Sequence, residues 1–518
     1  MAEFVKNIEI KVKRYDPESG KVLISTYTVP VYRGMTLLDA LLYIKDNVDG
    51  SLNFRYSCRM GICGSCGVLV NGKPMLACYT QILHLNVDSI FIEPLPNMPT
   101  IRDLVVDVNN FFNKYRYIKP YLIRSTYPQN EILQKPEDHW KYWNYTLCIK
   151  CAICYAACPA SIDDKFLGPT ALSTMYRFNI DSRDEGIKER IKISEDNIWL
   201  CTACHSCTLH CPKEVNSSYS VTELRRVIVE EGFVPKTVRD VLSNTFLTYN
   251  PWGMPSEKRI DWIKDLNIKL LKPNEQYENL YFVCCGPAYD IRCHEIARST
   301  AYILNLIGLN YGILGVDEWC CGDHMLRLGE RGLFEFLAEH NIQVFRDHNI
   351  KNIITNSPHC FNVFRNEQPY SSLTVNVKHY TQVFIEALRN GLIRPLRNIN
   401  ARVAYHDPCF LGKRNNIFEE PREILQSIPG VRLVEMNRNR ENSFCCGGGG
   451  GRVWTEEAPY DRRPSVERVK EALELNVDII ATACPFCVIM LTDAVKALGL
   501  EDKITVKDIS ELLKSSLT

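Results

Sequence analysis

The 518-residue chain has no excess of either charge, since 61 lysines and arginines balance 61 aspartates and glutamates. Nucleic-acid binding concentrates basic residues on one face, and no such patch stands out, so no nucleic acid is expected as a partner. Any run of about 18 apolar residues, the length needed to span a bilayer, is also missing. The most apolar stretches, around Ile303–Val316 and Val477–Leu491, carry polar residues or cysteine and read as buried core. Residues 1–13 alternate apolar and charged side chains, unlike a secretory leader. No membrane contact and a cytoplasmic location are therefore expected. No Gly-x-Gly-x-x-Gly fingerprint stands beside a strand, which places any flavin chemistry on another chain.

What the chain has in abundance is cysteine. Its 23 cysteines are an odd number gathered into tight motifs. Disulfide frameworks suit small secreted chains with even counts, so these thiols read as metal ligands in a reducing compartment. The first motif is Cys58-x4-Cys63-x2-Cys66-x11-Cys78, the plant-type [2Fe–2S] spacing, in which one loop wraps the cluster. Gly61, Gly64 and Gly67 allow backbone N–H groups to turn toward the sulfurs. The next two motifs share one spacing: Cys148-x2-Cys151-x2-Cys154-x3-Cys158-Pro159 and Cys201-x2-Cys204-x2-Cys207-x3-Cys211-Pro212. In two-cluster ferredoxins the fourth cysteine serves the other cluster. The expected sets are thus Cys148, Cys151, Cys154 with Cys211, and Cys201, Cys204, Cys207 with Cys158, for two [4Fe–4S] cubanes.

Two Cys-Cys pairs, Cys320-Cys321 and Cys445-Cys446, mark an internal repeat in the second half. In each copy an apolar strand (Leu280–Val283, Val403–Tyr405) runs into a cysteine, then a helix, then the pair. A second strand (Ile350–Thr355, Val477–Ala481) ends in the last cysteine motif, an alternation expected of α/β units. The second copy is complete: Cys409, Cys445, Cys446, Cys484 and Cys487, spaced C-x35-C-C-x37-C-x2-C. Five thiolates are one more than a tetrahedral zinc or an ordinary cubane takes. Neighbouring cysteines reach two atoms of a larger cluster, so this site is expected to do chemistry. The first copy offers Cys285, Cys320, Cys321 and Cys360, with Ser357 at the position of Cys484. Those four suit a [4Fe–4S] cluster, or else zinc or no metal at all. Cys284 and Cys293 fall outside the pattern and read as core thiols. His406 and Asp407 precede Cys409 and are candidates to hydrogen-bond a sulfur, move a proton or serve structure. The glycines 447–451 are expected to admit backbone or substrate close to the site.

The resulting expectation is a multidomain chain. Residues 1–103 form a β-grasp [2Fe–2S] ferredoxin domain, opened by strands at 7–13 and 22–31 and a helix that Thr36 and Asp39 cap. Residues 104–235 form an α-helical ferredoxin domain. Residues 236–277 are a linker with one or two short helices. The α/β repeats follow at 278–398 and 399–518.

Residues 1 to about 235 resemble the iron–sulfur subunit of succinate dehydrogenases and fumarate reductases. The segments that carry this are Ser57-Cys-Arg-Met-Gly-Ile-Cys-Gly-Ser-Cys66, Asp103-Leu-Val-Val-Asp107, Ile118-Lys-Pro-Tyr-Leu122 and Tyr176-Arg-Phe-Asn-Ile-Asp-Ser-Arg183. That family usually lacks one cysteine of the last motif and holds a [3Fe–4S] cluster there. Cys204 fills that position, a departure that implies a second [4Fe–4S] cluster and bears on the usual quinone site. Residues 279–518 resemble the cysteine-rich CCG subunit of heterodisulfide reductases. The resemblance implies a noncubane [4Fe–4S] cluster on Cys409, Cys445, Cys446, Cys484 and Cys487, with these as the catalytic residues. The fusion of the two halves is similar to the thiol:fumarate reductases of methanogens. It implies oxidation of coenzyme M and coenzyme B to their heterodisulfide, with electrons relayed to a separate FAD-containing fumarate reductase subunit. The competing reading is an electron-transfer subunit of a succinate or 2-hydroxyacid dehydrogenase complex without thiol chemistry of its own. Lys413, Arg414, Arg452, Arg462 and Arg463 lie near the second motif, either to hold sulfonate or phosphate groups or as solvated charges.

Overall fold

The computed structural model describes residues 3–272, 277–455 and 458–517. The chain divides into two compact units, one of residues 1–198 with 205–224, the other of residues 199–204 with 225–518.

In the first unit, β1 (Phe4–Asp16) and β2 (Lys21–Tyr32) pair antiparallel, with Ile8 opposite Val29 and Ile10 opposite Tyr27. Their alternation turns Ile8, Ile10, Val12, Val29 and Val31 into the core. The helix Leu37–Asn47 starts as the sequence predicts. Thr36 Oγ1 accepts from the Asp39 N–H at 3.2 Å, and Asp39 Oδ2 accepts from the Thr36 N–H at 2.9 Å. Its Leu37, Leu41 and Ile44 are buried. Three further strands, β3 (Gly67–Val70), β4 (Lys73–Leu76) and β5 (Ser89–Glu93), complete a sheet of order β2-β1-β5-β3-β4, with β1 and β5 parallel. This is the β-grasp arrangement. A small hairpin of β6 (Thr100–Arg102) and β7 (Val105–Val106) follows, and then short helices between Asn109 and Leu209.

The second unit contains the duplication. The first repeat is a parallel sheet of β8 (Asn279–Phe282), β9 (Tyr311–Gly312), β10 (Asn352–Thr355) and β11 (Asn376–His379), in the order β11-β10-β8-β9. The second has β12 (Ala401–His406), β13 (Val431–Val434), β14 (Ile479–Thr482) and β15 (Thr505–Asp508), in the order β13-β12-β14-β15. These are the same order read from opposite ends. Phe282 pairs with Thr355, and His406 with Thr482, which fixes the equivalence of the two copies. Helices cover the sheets, so the strand interiors are apolar throughout, as parallel strands require. Both sets of cysteines lie past the carboxyl ends of the strands, where open α/β sheets place their sites.

The stretch expected to be a linker is packed instead. It forms the helix Lys236–Thr248 and a 3-10 turn Ser256–Ile263, and buries Val238, Val241, Arg259 and Trp262. Its prolines and glycine interrupt the periodicity that would have announced this packing. Residues 273–276 of it lie outside the described residues.

Candidate metal centres

In the [2Fe–2S]-type loop the backbone faces the sulfurs. Cys58 Sγ accepts from the N–H groups of Met60, Ile62 and Cys63 at 3.4, 3.3 and 3.2 Å. Gly61 donates to Cys78 Sγ at 3.3 Å, and Cys78 donates to Cys66 Sγ at 3.4 Å. Backbone donors hold a Cys58 thiolate, its pKa lowered to about 6, first through Met60. Such a ring of N–H groups suits an anionic sulfur cluster. Gly64 serves another purpose: a Cβ there would meet the Cys151 Cα at 2.8 Å and the Ile149 carbonyl at 2.9 Å. Its bareness lets the first ferredoxin motif lie against the loop.

Cys148, Cys151, Cys154 and Cys211 line one pocket together with Thr170, Ser173 and Pro212. These four are the set expected from the exchanged fourth cysteine. Burial pushes the Cys151 thiol up to about 12, so a bound cation is what would hold this group as thiolates. Of the other set, Cys201 and Cys204 belong to the second unit, and Cys158 and Cys207 to the first.

The second repeat draws all five of its cysteines into one buried group. Cys409 is in hydrogen-bonding reach of Cys445, Cys445 of Cys446, Cys446 of Cys487, and Cys487 of Cys484. Each is less than one-tenth exposed. The Gly447 N–H donates to Cys445 Sγ at 3.3 Å. Cys484 caps the helix Pro485–Ala497 and Cys487 sits in its first turn, where the helix dipole favours thiolate. A five-ligand cluster fits this donor set, and a single tetrahedral ion does not use all of it.

The thiol chain meets residues from elsewhere at its second member, Cys445, and at its last, Cys484. Cys445 is within reach of Cys204, and Cys204, Cys409, Phe410 and Cys445 form one apolar cluster. The segment bearing Cys204 is seated on the glycine run: a Cβ at 449 would meet the Thr202 carbonyl at 2.5 Å, and one at 450 the Cys201 carbonyl at 2.8 Å. The glycines are therefore spacers for a backbone crossing, which narrows their expected role. Arg225 fastens the crossing, donating to the Cys201 carbonyl at 2.8 Å and the Gly450 carbonyl at 2.7 Å. Cys484 in turn receives a hydrogen bond from His359 of the first repeat. His359 also binds Asp323 Oδ2 at 2.7 Å and stacks on Phe410 at 4.0 Å. Burial disfavours its imidazolium, but the Asp323 hydrogen bond and charge raise it to about 10. Neither Arg225 nor His359 carries a sequence signal; both act across long separations.

The structure separates His406 from Asp407. A His406 ring nitrogen lies within 4.8 Å of the Cys446 and Cys487 sulfurs, while Nδ1 accepts from Arg468 Nε at 3.1 Å. Burial, then Arg468, keeps the ring neutral by lowering its pKa to about 3. Asp407 is structural: it pairs with Arg422 through two hydrogen bonds of 2.7 and 2.9 Å and accepts from the Arg440 N–H at 3.0 Å. Lys413 and Arg414 are not solvated, since Lys413 Nζ donates to the Ser443 carbonyl at 2.5 Å and Arg414 to the Ala203 carbonyl at 2.9 Å. Arg452 reaches Thr455, Arg463 the Ala458 carbonyl, and Arg462 lies in the turn Tyr460–Arg462.

The first repeat gathers Cys285, Cys320, Cys321 and Cys360, all buried. Cys321 and Cys360 sulfurs are 3.3 Å apart, and the Gly322 N–H donates to Cys320 Sγ at 3.4 Å, as Gly447 does in the other repeat. Cys293 is a core thiol beside the Pro485 carbonyl at 3.6 Å. Cys284 is not; its thiol lies within reach of Cys360.

Comparison with known proteins agrees with this layout. Residues 9–113 match the 2Fe-2S iron-sulfur cluster binding domain, 144–215 the 4Fe-4S dicluster domain, and 279–365 and 403–492 the Cysteine-rich domain. A fumarate reductase (CoM/CoB) subunit of Methanothermobacter marburgensis is 30% identical over 513 residues, covering 98% of each chain. The chain belongs to this family of fused iron–sulfur subunits. An uncharacterized iron–sulfur protein of Methanocaldococcus jannaschii is 32% identical over 498 residues, 96% of each chain. The "Probable iron-sulfur-binding oxidoreductase FadF" of Bacillus subtilis is 33% identical over 419 residues, 71% of this chain and 59% of FadF's length. As a member of this family, the chain is an iron–sulfur oxidoreductase subunit with [2Fe–2S] and [4Fe–4S] binding domains followed by two CCG repeats. No described helix is long and apolar enough to cross a membrane.

Proposed function

We propose that the second repeat is where two small-molecule thiols are joined into a disulfide, and that the rest of the chain carries the released electrons to a flavoprotein partner. The observation that carries this reading is the unbroken chain of five buried thiols from Cys409 to Cys484. A noncubane [4Fe–4S] cluster held there would supply iron that binds substrate sulfur and accepts electrons one at a time. The relative from Methanothermobacter marburgensis is named for coenzymes M and B and for fumarate, so those are the proposed substrates. The balance is two thiols to one disulfide, two protons and two electrons; fumarate takes up two of each on a separate FAD-containing subunit.

The chain's own residues fit these demands. Since Nδ1 of His406 accepts from Arg468, the ring proton sits on the other nitrogen. A neutral imidazole beside Cys446 and Cys487 fixes ligand orientation without adding charge. Phe410, Phe486 and Trp252, with Trp454 packed edge-on at 4.6 Å, form an aromatic surround that excludes water. Contact of Cys445 with Cys204 leaves no gap between this site and the second ferredoxin motif. The two ferredoxin motifs would hold two [4Fe–4S] clusters, and Cys58, Cys63, Cys66 and Cys78 a [2Fe–2S] cluster, which together would supply one-electron carriers toward the partner.

The test is an anaerobic assay of the purified chain alone, with reduced viologen and the coenzyme M–coenzyme B heterodisulfide. Rapid dye oxidation is expected. A preparation with full iron content that leaves the dye reduced would make the chain an electron relay and overturn the proposal.

A further inference from the structure

The first repeat lacks the thiol that Cys484 gives the second, yet its pocket still holds five. Counting from the paired residues Phe282–Thr355 and His406–Thr482, Cys285 corresponds to Cys409, Ser357 to Cys484 and Cys360 to Cys487. Cys284 therefore corresponds to Pro408. The contacts of the thiols follow the same path in both repeats. Cys285 is within reach of Cys320, Cys320 of Cys321, Cys321 of Cys360 at 3.3 Å, and Cys360 of Cys284. In the second repeat the path is Cys409, Cys445, Cys446, Cys487, Cys484. Cys284 takes the last place. All five thiols of the first repeat are at most 5% exposed.

The backbone is bent to put Cys284 there. Its φ of +72° with ψ of 152° belongs to a region that glycine occupies freely and a side chain enters only under constraint. The constraint is visible. Glu318 Oε1 accepts from the Cys284 N–H and Oε2 from the Val283 N–H, both at 3.0 Å. Buried Arg259 pairs with Glu318 and reaches Cys285 Sγ at 3.6 Å, placing a cation against the thiols. Ser357 Oγ, fully buried at the position of Cys484, has no hydrogen-bond partner among the described residues. An inorganic sulfide is the kind of acceptor such a hydroxyl lacks.

We propose that the first repeat holds a second five-thiolate iron–sulfur cluster, in which Cys284 replaces the ligand lost at Ser357. Zinc would leave one thiolate unused and two adjacent cysteines crowded on one ion. This assignment does not rest on thiol oxidation at the second repeat.

The experiment measures iron, sulfide and zinc per chain with Mössbauer spectra, on the full chain purified anaerobically. The unmodified chain should contain no stoichiometric zinc, and a Cys446→Ser chain should retain a five-thiolate cluster signal that belongs to the first repeat. Cys284→Gly keeps the backbone geometry comfortable and should lose about four irons or convert that signal to an ordinary cubane. Adding Ser357→Cys to it should restore the signal. About one zinc per unmodified chain, or iron content and spectra unchanged by Cys284→Gly, would overturn the proposal. Should Cys284→Gly fail to fold, judged by its [2Fe–2S] circular dichroism, the unmodified and Cys446→Ser chains still decide.

Discussion

The two repeats share a strand order, a thiol path and a glycine N–H aimed at the first sulfur of each Cys-Cys pair, and then diverge. After Cys321 the chain turns into the helix Asp323–Leu328, which supplies Asp323 to His359. After Cys446 it runs as glycines on which the 201–204 segment rests. His359 and Phe486 occupy equivalent positions between the proline and the last cysteine, yet His359 serves the second repeat's Cys484, while Phe486 packs on His324 of the first at 4.4 Å. Duplication thus produced two similar cradles, and specialisation came from what each lends the other. The first is closed around itself by Glu318 and Arg259; the second is open to outside partners.

The sharpest break in this comparison is Cys446→Ser, which should abolish heterodisulfide turnover while the [2Fe–2S] spectrum stays intact, read by the viologen assay and circular dichroism. Unchanged turnover would remove the chemical distinction between the repeats. Next in size is Asp407→Ala, where the first repeat has Val283. It removes one of the two carboxylates that hold the buried Arg422 guanidinium, leaving Glu435, and should lower stability by about 2–3 kcal/mol, seen as a lower unfolding temperature with turnover per folded chain retained. If turnover fell and stability did not, Asp407 would belong to the chemistry.

A pH test addresses the last strand of each sheet, where Thr355 pairs with His379 and Thr482 with Asp508. Burial lowers His379 to about 3 and raises Asp508 to about 7. The folded chain sheds the histidine proton that the unfolded chain keeps, so that contribution is lost as pH falls below the unfolded value of 6.5. Asp508 acts oppositely: folding keeps a proton that the unfolded carboxylate has shed, and stability falls as pH rises from about 4 to 7. The slopes offset between them. Asp508→Asn should uncover the histidine slope, gaining roughly 2 kcal/mol over wild type from about pH 5 to 6.5 in thermal unfolding. A parallel pH profile in the variant would show the two positions are not counterparts. The smallest effect is expected from His359→Phe, which copies the second repeat's residue into the first. It should slow heterodisulfide turnover about tenfold at unchanged iron content, the size seen when a ligand loses an outer hydrogen bond. No change would mean the histidine only packs.

Thiol spacings were legible because a cluster demands its ligands within a few ångströms, which imprints on local sequence. The capping pair Thr36 and Asp39 and the alternation of Ile8, Ile10 and Val12 were legible for the same local reason. Cys284 escaped because the repeat pattern has Pro408 at its place, so no thiol was expected there, and only the fold brings it beside Cys360. His359 and Arg225 act through contacts 100 or more residues away, which no spacing encodes. Lys413 and Arg414 read as solvated because composition says nothing of the carbonyls that fold back on them. Trp262 and Arg259 were concealed in a stretch whose prolines looked like a tether.

The seat for residues 201–204 also sets a timetable for synthesis. Arg414, which grips the Ala203 carbonyl, is 211 residues further along the chain. Translation at about 5–20 residues per second leaves Cys201 and Cys204 waiting roughly 10 to 40 s for it. Through that interval the segment lacks its fold-back partner, while the [2Fe–2S]-type loop, emerging earlier, carries its own backbone donors. All the cysteines of the amino-terminal loop are thus in the chain well before the seat of the ferredoxin motif nearest the thiol site.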